Sequence, residues 1–191
     1  MRRGGTGGTN TQTGINWEDN NCIAQVVGSS SEDLNYMPDI GAIFENGTLR
    51  YTCFTRALFW SYLKSQGFSY RISPSPGIWF EGREIWSARI YPDEAILDHA
   101  TNTVYFFEKK WQQSEGSVDE KLRTVAYRNE YYNAILPLIG INFGGESFVL
   151  SEWFRRPKYR SPLDFARRNG CCIFFPESED DIGQRLLSLI R

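Results

Sequence analysis

Two extended runs and the four-residue loop between them set the frame for this chain. Residues 95–97 and 103–111 (TVYFFEKKW) are dominated by aliphatic, β-branched and aromatic side chains, and His99-Ala100-Thr101-Asn102 separates them. An antiparallel hairpin around that loop pairs residues whose numbers add up to about 201. Asp93 then lies opposite Glu108, while strand alternation puts Glu108, Lys110 and Gln112 on one face and turns Lys109 and Trp111 to the other. Like charges across a strand pair repel, so Asp93 and Glu108 fit side by side best when a cation sits between them. Asp98 is the competing acid; it pairs with Thr103 at the mouth of the loop, where an aspartate is an ordinary turn residue.

The remaining segments predict helices to cover this sheet. Apolar spacing predicts helices over 15–27 and 52–66, stopped by Gly28 and Gly67. Residues 73–77, with two prolines, read as a turn, and 84–90 as extended. Ser117-Val118-Asp119-Glu120 has the capping-box pattern, opening a helix to about residue 136 before Pro137, with Asp119 and Glu120 serving its N-terminus. A glycine-rich turn, strands at 147–154 and 171–175 and a helix over 179–190 follow.

Length and composition narrow the class. A chain of 191 residues with 41% apolar and 23% charged residues fits one domain, residues 1–191, with residues 1–14 as a flexible Gly/Thr arm. Mean hydropathy of -0.44 and no apolar run near membrane length predict no membrane span. The basic start lacks the apolar stretch of a secretory signal, so a cytoplasmic location is expected. Four cysteines without C-x-x-C spacing and a single histidine, His99, argue against a structural zinc site or a histidine triad. The aromatic fraction of 15% points first to core filling.

The paired carboxylates suggest a reaction. Two oxygen donors suit Mg²⁺, and the neighbouring Lys110 ammonium can orient a water for phosphodiester hydrolysis. The plain alternative is a solvated hairpin with ordinary acidic and basic residues. With a net charge of -2, contact with nucleic acid must come from a local surface. Within 153–170 stand Arg155, Arg156, Lys158, Arg160, Arg167 and Arg168 against Asp164 alone, interleaved with aromatics. They form a candidate DNA-binding surface or a charged solvated loop, and Arg2 and Arg3 of the arm are a second, smaller possibility.

Pro92-Asp93 followed by Glu108-Lys109-Lys110 resembles the PD-(D/E)XK motif of the restriction-endonuclease-like nucleases. The phrases GGTNTQTGINWE at 7–18 and EKKWQQSEGSVDEKL at 108–122 are similar to a subset of type II restriction endonucleases. That resemblance implies an α/β fold with the family's αβββαβ core, a mixed sheet flanked by helices, spanning about residues 50–155, with 153–191 as an elaboration for DNA binding or dimerisation. It implies Asp93 and Glu108 as metal ligands, Lys110 as the water-positioning lysine and Gln112 as a neighbour that steadies them. Glu18 is either an outer metal contact or a surface acid. The implied activity is Mg²⁺-dependent, sequence-specific cleavage of double-stranded DNA, by a homodimer because one centre cuts one strand. A homing or repair endonuclease of this fold and a catalytically inactive DNA-binding module are the alternatives.

Overall fold

A seven-stranded mixed sheet forms around the expected hairpin. The computed structural model describes residues 16–17, 20–73, 76–112 and 122–191. Strands β1 (Leu34–Met37), β2 (Ala42–Glu45) and β3 (Thr48–Thr55) make an antiparallel meander at one edge. A three-stranded sheet follows, β4 (Phe68–Arg71), β5 (Gly77–Phe80) and β6 (Arg83–Trp86). The chain then returns to the main sheet as β7 (Glu94–Asp98) and β8 (Thr103–Lys110), followed by β9 (Asn142–Leu150) and β10 (Cys172–Phe174). The order is β1-β2-β3-β7-β8-β9-β10, antiparallel as far as β8 and parallel from there to β10. Glu94 faces Phe107 and Asp98 faces Thr103, which is the expected register.

Helices cover both faces. Helices α1 (Ile23–Gly28) and α5 (Ile182–Ile190) bury Ile23, Val27, Leu186 and Ile190 against Ile43, Ile96, Phe107 and Val149. On the opposite face α2 (Arg56–Ser65) and α3 (Val125–Ile135) pack Phe59, Leu63, Tyr131 and Tyr132 on Leu97, Val104 and Phe106. Helix α4 (Arg160–Arg168) seals the β9–β10 end through Leu163 and Ala166. The aromatic excess fills this core: Phe106 stacks on Tyr132 with ring centroids 3.9 Å apart. No helix among the described residues is long and apolar enough to cross a membrane.

Several expected boundaries change, each for a tertiary reason. Residues 52–55 are strand, because Thr52, Cys53, Phe54 and Thr55 pair with Leu97, Ile96, Ala95 and Glu94; the Thr55 hydroxyl then accepts from the Leu58 amide and starts α2. The first core strand is therefore β3, and the extended segment expected at 84–90 is the short β6 of the separate small sheet. Of the helix expected over 15–27, Asn16, Trp17 and Asn20 are helical, and α1 starts at Ile23, whose amide donates to the Glu94 carboxylate at 3.0 Å. The third helix runs from Val125, and Pro137 stands inside a 3-10 turn that extends it; the capping box at 117–120 lies outside the described residues. The glycine-rich turn is part of β9. A Cβ on Gly144 would run into the Tyr105 ring, so glycine is what lets β9 approach β8 here. Strand β9 ends at Leu150, and residues 152–159 are two 3-10 turns.

Candidate active site at the end of the β7–β8 hairpin

The hairpin register carries Asp93 and Glu108 to one end of the sheet. Asp93 stands one residue before β7; the ladder ends with Glu94 opposite Phe107, and the Asp93 amide donates to the carbonyl of that same Phe107 at 3.2 Å, which keeps Asp93 beside the end of β8. Lys110 leaves β8 on the same face as Glu108. Its ammonium reaches Asp93 Oδ2 at 2.6 Å, Glu108 Oε2 at 2.8 Å and the Lys109 carbonyl oxygen at 2.7 Å. Three oxygens, two of them carboxylate, thus converge on one cation. The side chains of Lys110, Asp93 and Glu108 are 7%, 10% and 4% exposed, so this charge is held in a largely dry setting.

Neighbours fix the two acids. Asp93 also accepts from the Lys109 amide at 2.9 Å and from the Arg56 guanidinium, which starts α2. Burial alone would raise the Asp93 carboxyl, but the Lys110 ammonium, the Lys109 amide and Arg56 outweigh it and hold it below the usual carboxylate range. For Lys110, burial works downward while Glu108 and Asp93 work upward, and the carboxylates prevail. Glu108 takes a second partner, Arg128 of α3, whose Nε also donates to Glu146 of β9 at 2.6 Å. Glu146 is fully covered, and among the described residues its Oε2 has no hydrogen-bond partner. Burial, reinforced by the charge on Glu108 and opposed by Arg128, pushes its carboxyl up to about 7.

The other face of the same hairpin holds a separate pair. Lys109 Nζ lies 2.5 Å from Glu94 Oε1, and Glu94 Oε2 takes the Ile23 amide at the start of α1. A cleft of about 870 Å³ opens beside Asp93, lined by Arg56, Leu58, Ile40, Glu94 and Lys109 among others.

Of the residues expected in the site, Asp93, Glu108 and Lys110 are brought together. Gln112 follows on the same strand direction, buried, with its main-chain amide donating to the Ser151 hydroxyl at 3.2 Å. Glu18 lies outside the described residues. Asp98 ends β7 and serves the turn: its carboxylate accepts from the Ala100 amide at 2.9 Å and the Thr101 hydroxyl at 2.8 Å, and it pairs with Arg50. Arg56, Arg128 and Glu146 are added by the fold, because helices and a strand distant in sequence deliver them.

The donor set fits a hard divalent cation. Asp93, Glu108 and the Lys109 carbonyl present only oxygen, and two carboxylates with water completing the shell is the kind of set that Mg²⁺ takes. Among the described residues no group of three or more acidic, histidine or cysteine side chains competes for a metal.

The basic stretch divides by partner. Arg155 pairs with Glu152 at 2.9 Å and covers the Phe175 ring, Arg156 stacks on Trp153 at 3.3 Å, Lys158 lies over Tyr159 at 4.8 Å, and Arg167 pairs with Asp164 at 3.1 Å. Among the described residues Arg160 and Arg168 have no acidic partner. Arg155, Arg156, Arg160 and Arg167 line one groove of about 270 Å³.

Residues 63–149 match the family model described as a PD-(D/E)XK nuclease superfamily domain. The matched segment includes Asp93, Glu108, Lys110, Arg128 and Glu146, and with the mixed sheet it supports the superfamily, whose members are nucleases. No curated protein and no solved structure matches the chain.

Proposed function

We propose that this protein is a type II restriction endonuclease that hydrolyses double-stranded DNA at a specific sequence with Mg²⁺, acting as a homodimer in the cytoplasm. The observation that carries the reading is the convergence of Asp93 Oδ2, Glu108 Oε2 and the Lys109 carbonyl on Lys110 Nζ. Those three oxygens would hold the metal. Bound there, Mg²⁺ supplies charge neutralisation at the phosphate and a more acidic water. Lys110 orients that water through its ammonium. With Asp93 and Glu108 engaged by a metal, the Lys110 ammonium would keep N–H donors for a water beside it. Arg128 holds Glu108 in place from the side of α3, and Gln112 steadies the end of β8 through Ser151. Arg56, with 58% of its side chain exposed, is the guanidinium of this cluster available to a phosphate oxygen.

Specific recognition falls to the stretch from Arg155 to Arg168. Arg160 and Arg168, which have no acidic partner among the described residues, are the candidates for phosphate or guanine edges, while Arg155 and Arg167 must exchange an internal partner for DNA. A single centre cuts one strand, which is why a duplex cutter of this size works as a pair. The test is incubation of supercoiled plasmid with the protein in Mg²⁺, in Ca²⁺ and in excess chelator. Discrete linear fragments in Mg²⁺ alone support the reading; undiminished cleavage in chelator overturns it.

A further inference from the structure

Arg89 stands apart from the arginines that build the fold. Arg50, Arg128 and Arg191 each pair with a carboxylate. Arg89, which is exposed, has no acidic partner among the described residues and is held by three rings instead: its guanidinium carbon lies 4.5 Å from the Tyr70 centroid, 4.5 Å from Tyr91 and 5.3 Å from Trp60. Trp60 and Tyr91 meet edge to face at 6.2 Å. Rings restrain a guanidinium without occupying its N–H edge, so the donor fork stays open to an oxyanion.

The position of this cluster gives it a use. Tyr91 is two residues before Asp93, and Trp60 lies one turn of α2 after Arg56, the partner of Asp93. Arg56 and Arg89 both act on the Tyr91 phenol. A continuous strip therefore runs from the carboxylate pair through Arg56, Trp60 and Tyr91 to Arg89 and Tyr70. Two guanidiniums are separated by two rings and a third ring lies beyond Arg89, a spacing of cations and aromatic faces that matches a nucleic-acid strand of phosphates joined by sugars and bases.

We propose that the strip Arg56–Trp60–Tyr91–Arg89–Tyr70 is the track for the DNA strand beside the cleaved bond, with Arg89 contacting a flanking phosphate. This rests on the nuclease reading. The structure also supplies an internal control. Arg71 lies over the Trp79 ring at 3.8 Å, a stack of the same chemistry, but it follows Tyr70 on β4 and so points from the opposite face of the small sheet.

The experiment is fluorescence anisotropy of a labelled mixed-sequence duplex with the full chain in Ca²⁺ across a salt series. Arg89→Ala should weaken binding about tenfold and reduce the salt slope by about one unit, whereas Arg71→Ala should stay within about twofold of the parent. Arg89→Gln, which keeps a planar polar head without the charge, should behave like Arg89→Ala and replaces it if that variant unfolds. Parental binding by the folded Arg89 variants, or an equal loss at Arg71, overturns the track. Plasmid cleavage by the parent and its loss in Asp93→Ala are measured alongside. Intact cleavage chemistry with unaffected Arg89 variants discards the track alone, while a parent that neither binds nor cuts DNA discards both.

Discussion

Lys109 and Lys110 are neighbours on one strand, with side chains 9% and 7% exposed, yet they serve opposite faces of the hairpin in different ways. Lys109 meets Glu94, and that carboxylate is already committed to the first amide of α1. The pair locks a helix to the sheet. Lys110 meets Asp93 and Glu108 together with a main-chain carbonyl, so two acids share one ammonium. Two buried carboxylates brought together are a poor way to stabilise a sheet and a good way to hold a cation. The contrast teaches that burial and ion pairing are common to both lysines; what sets the Lys110 face apart among the described residues is that Asp93 and Glu108 meet on one ammonium, which is where the proposed chemistry is placed.

That contrast can be broken in graded steps. The largest effect is expected at the acids themselves. Asp93→Ala and Glu108→Ala should each lower single-turnover DNA cleavage by about 10⁴-fold while leaving duplex affinity in Ca²⁺ largely intact, because the proposed function has them act on metal and water rather than on base edges. Asp98→Ala should lose stability through its turn contacts, by about 1–3 kcal/mol in chemical denaturation, and still cut. Full activity in Asp93→Ala with loss in Asp98→Ala would move the site to the other end of the hairpin.

The opposite face should answer in stability. Lys109→Met leaves Glu94 without its ammonium in a buried position and should lower unfolding stability by about 3 kcal/mol. A shift below about 1 kcal/mol would show that the Ile23 amide alone suffices for Glu94.

A smaller effect depends on pH. The folded-state value of Glu146, about 7, lies above its ordinary 4.5, so the folded protein holds that proton more tightly than the unfolded chain. The stability it contributes is complete below the unfolded value and is lost as pH rises through the folded one. Between pH 5 and 8 the parent should therefore lose stability that Glu146→Gln retains, read from thermal melts of the metal-free protein. Asp93 acts in the opposite sense and in a lower window: its depressed value gives stability above the normal carboxylate range that disappears on acidification. Parallel pH curves for parent and Glu146→Gln would contradict the assignment. The smallest effect is expected at Arg167→Ala, whose exposed pair with Asp164 should be worth less than about 1 kcal/mol to stability.

How much of this was legible follows from distance along the chain. The β7–β8 register depends on a short loop and two runs of strand formers, so local pattern predicts it, and with it the convergence of Asp93, Glu108 and Lys110. Residues 52–55 read as helix because Phe54 shares helical spacing with Leu58 and Tyr62 across the strand-to-helix junction, and β1 and β2, four residues each, are too short for a periodic signal. A readable signal was nevertheless present: Asn46-Gly47, both with positive φ, is a two-residue hairpin turn joining β2 to β3. Arg56, Arg128 and Glu146 had no local signature. They become part of the site only when α2, α3 and β9 pack against the hairpin. The basic stretch was legible as charge, but the engagement of Arg155 by Glu152 and of Arg167 by Asp164 requires the fold.

The most direct test of the account is to exchange the two lysines in one assay, single-turnover cleavage of a plasmid substrate in Mg²⁺ by Lys110→Met and Lys109→Met at matched concentrations of folded protein. The account predicts a fall of about 10²–10⁴-fold for Lys110→Met, the range of a positioned proton-handling group, and less than about tenfold for Lys109→Met. Retained cleavage in Lys110→Met, or an equal fall in both variants, would contradict the assignment of catalysis to the Asp93–Glu108–Lys110 face.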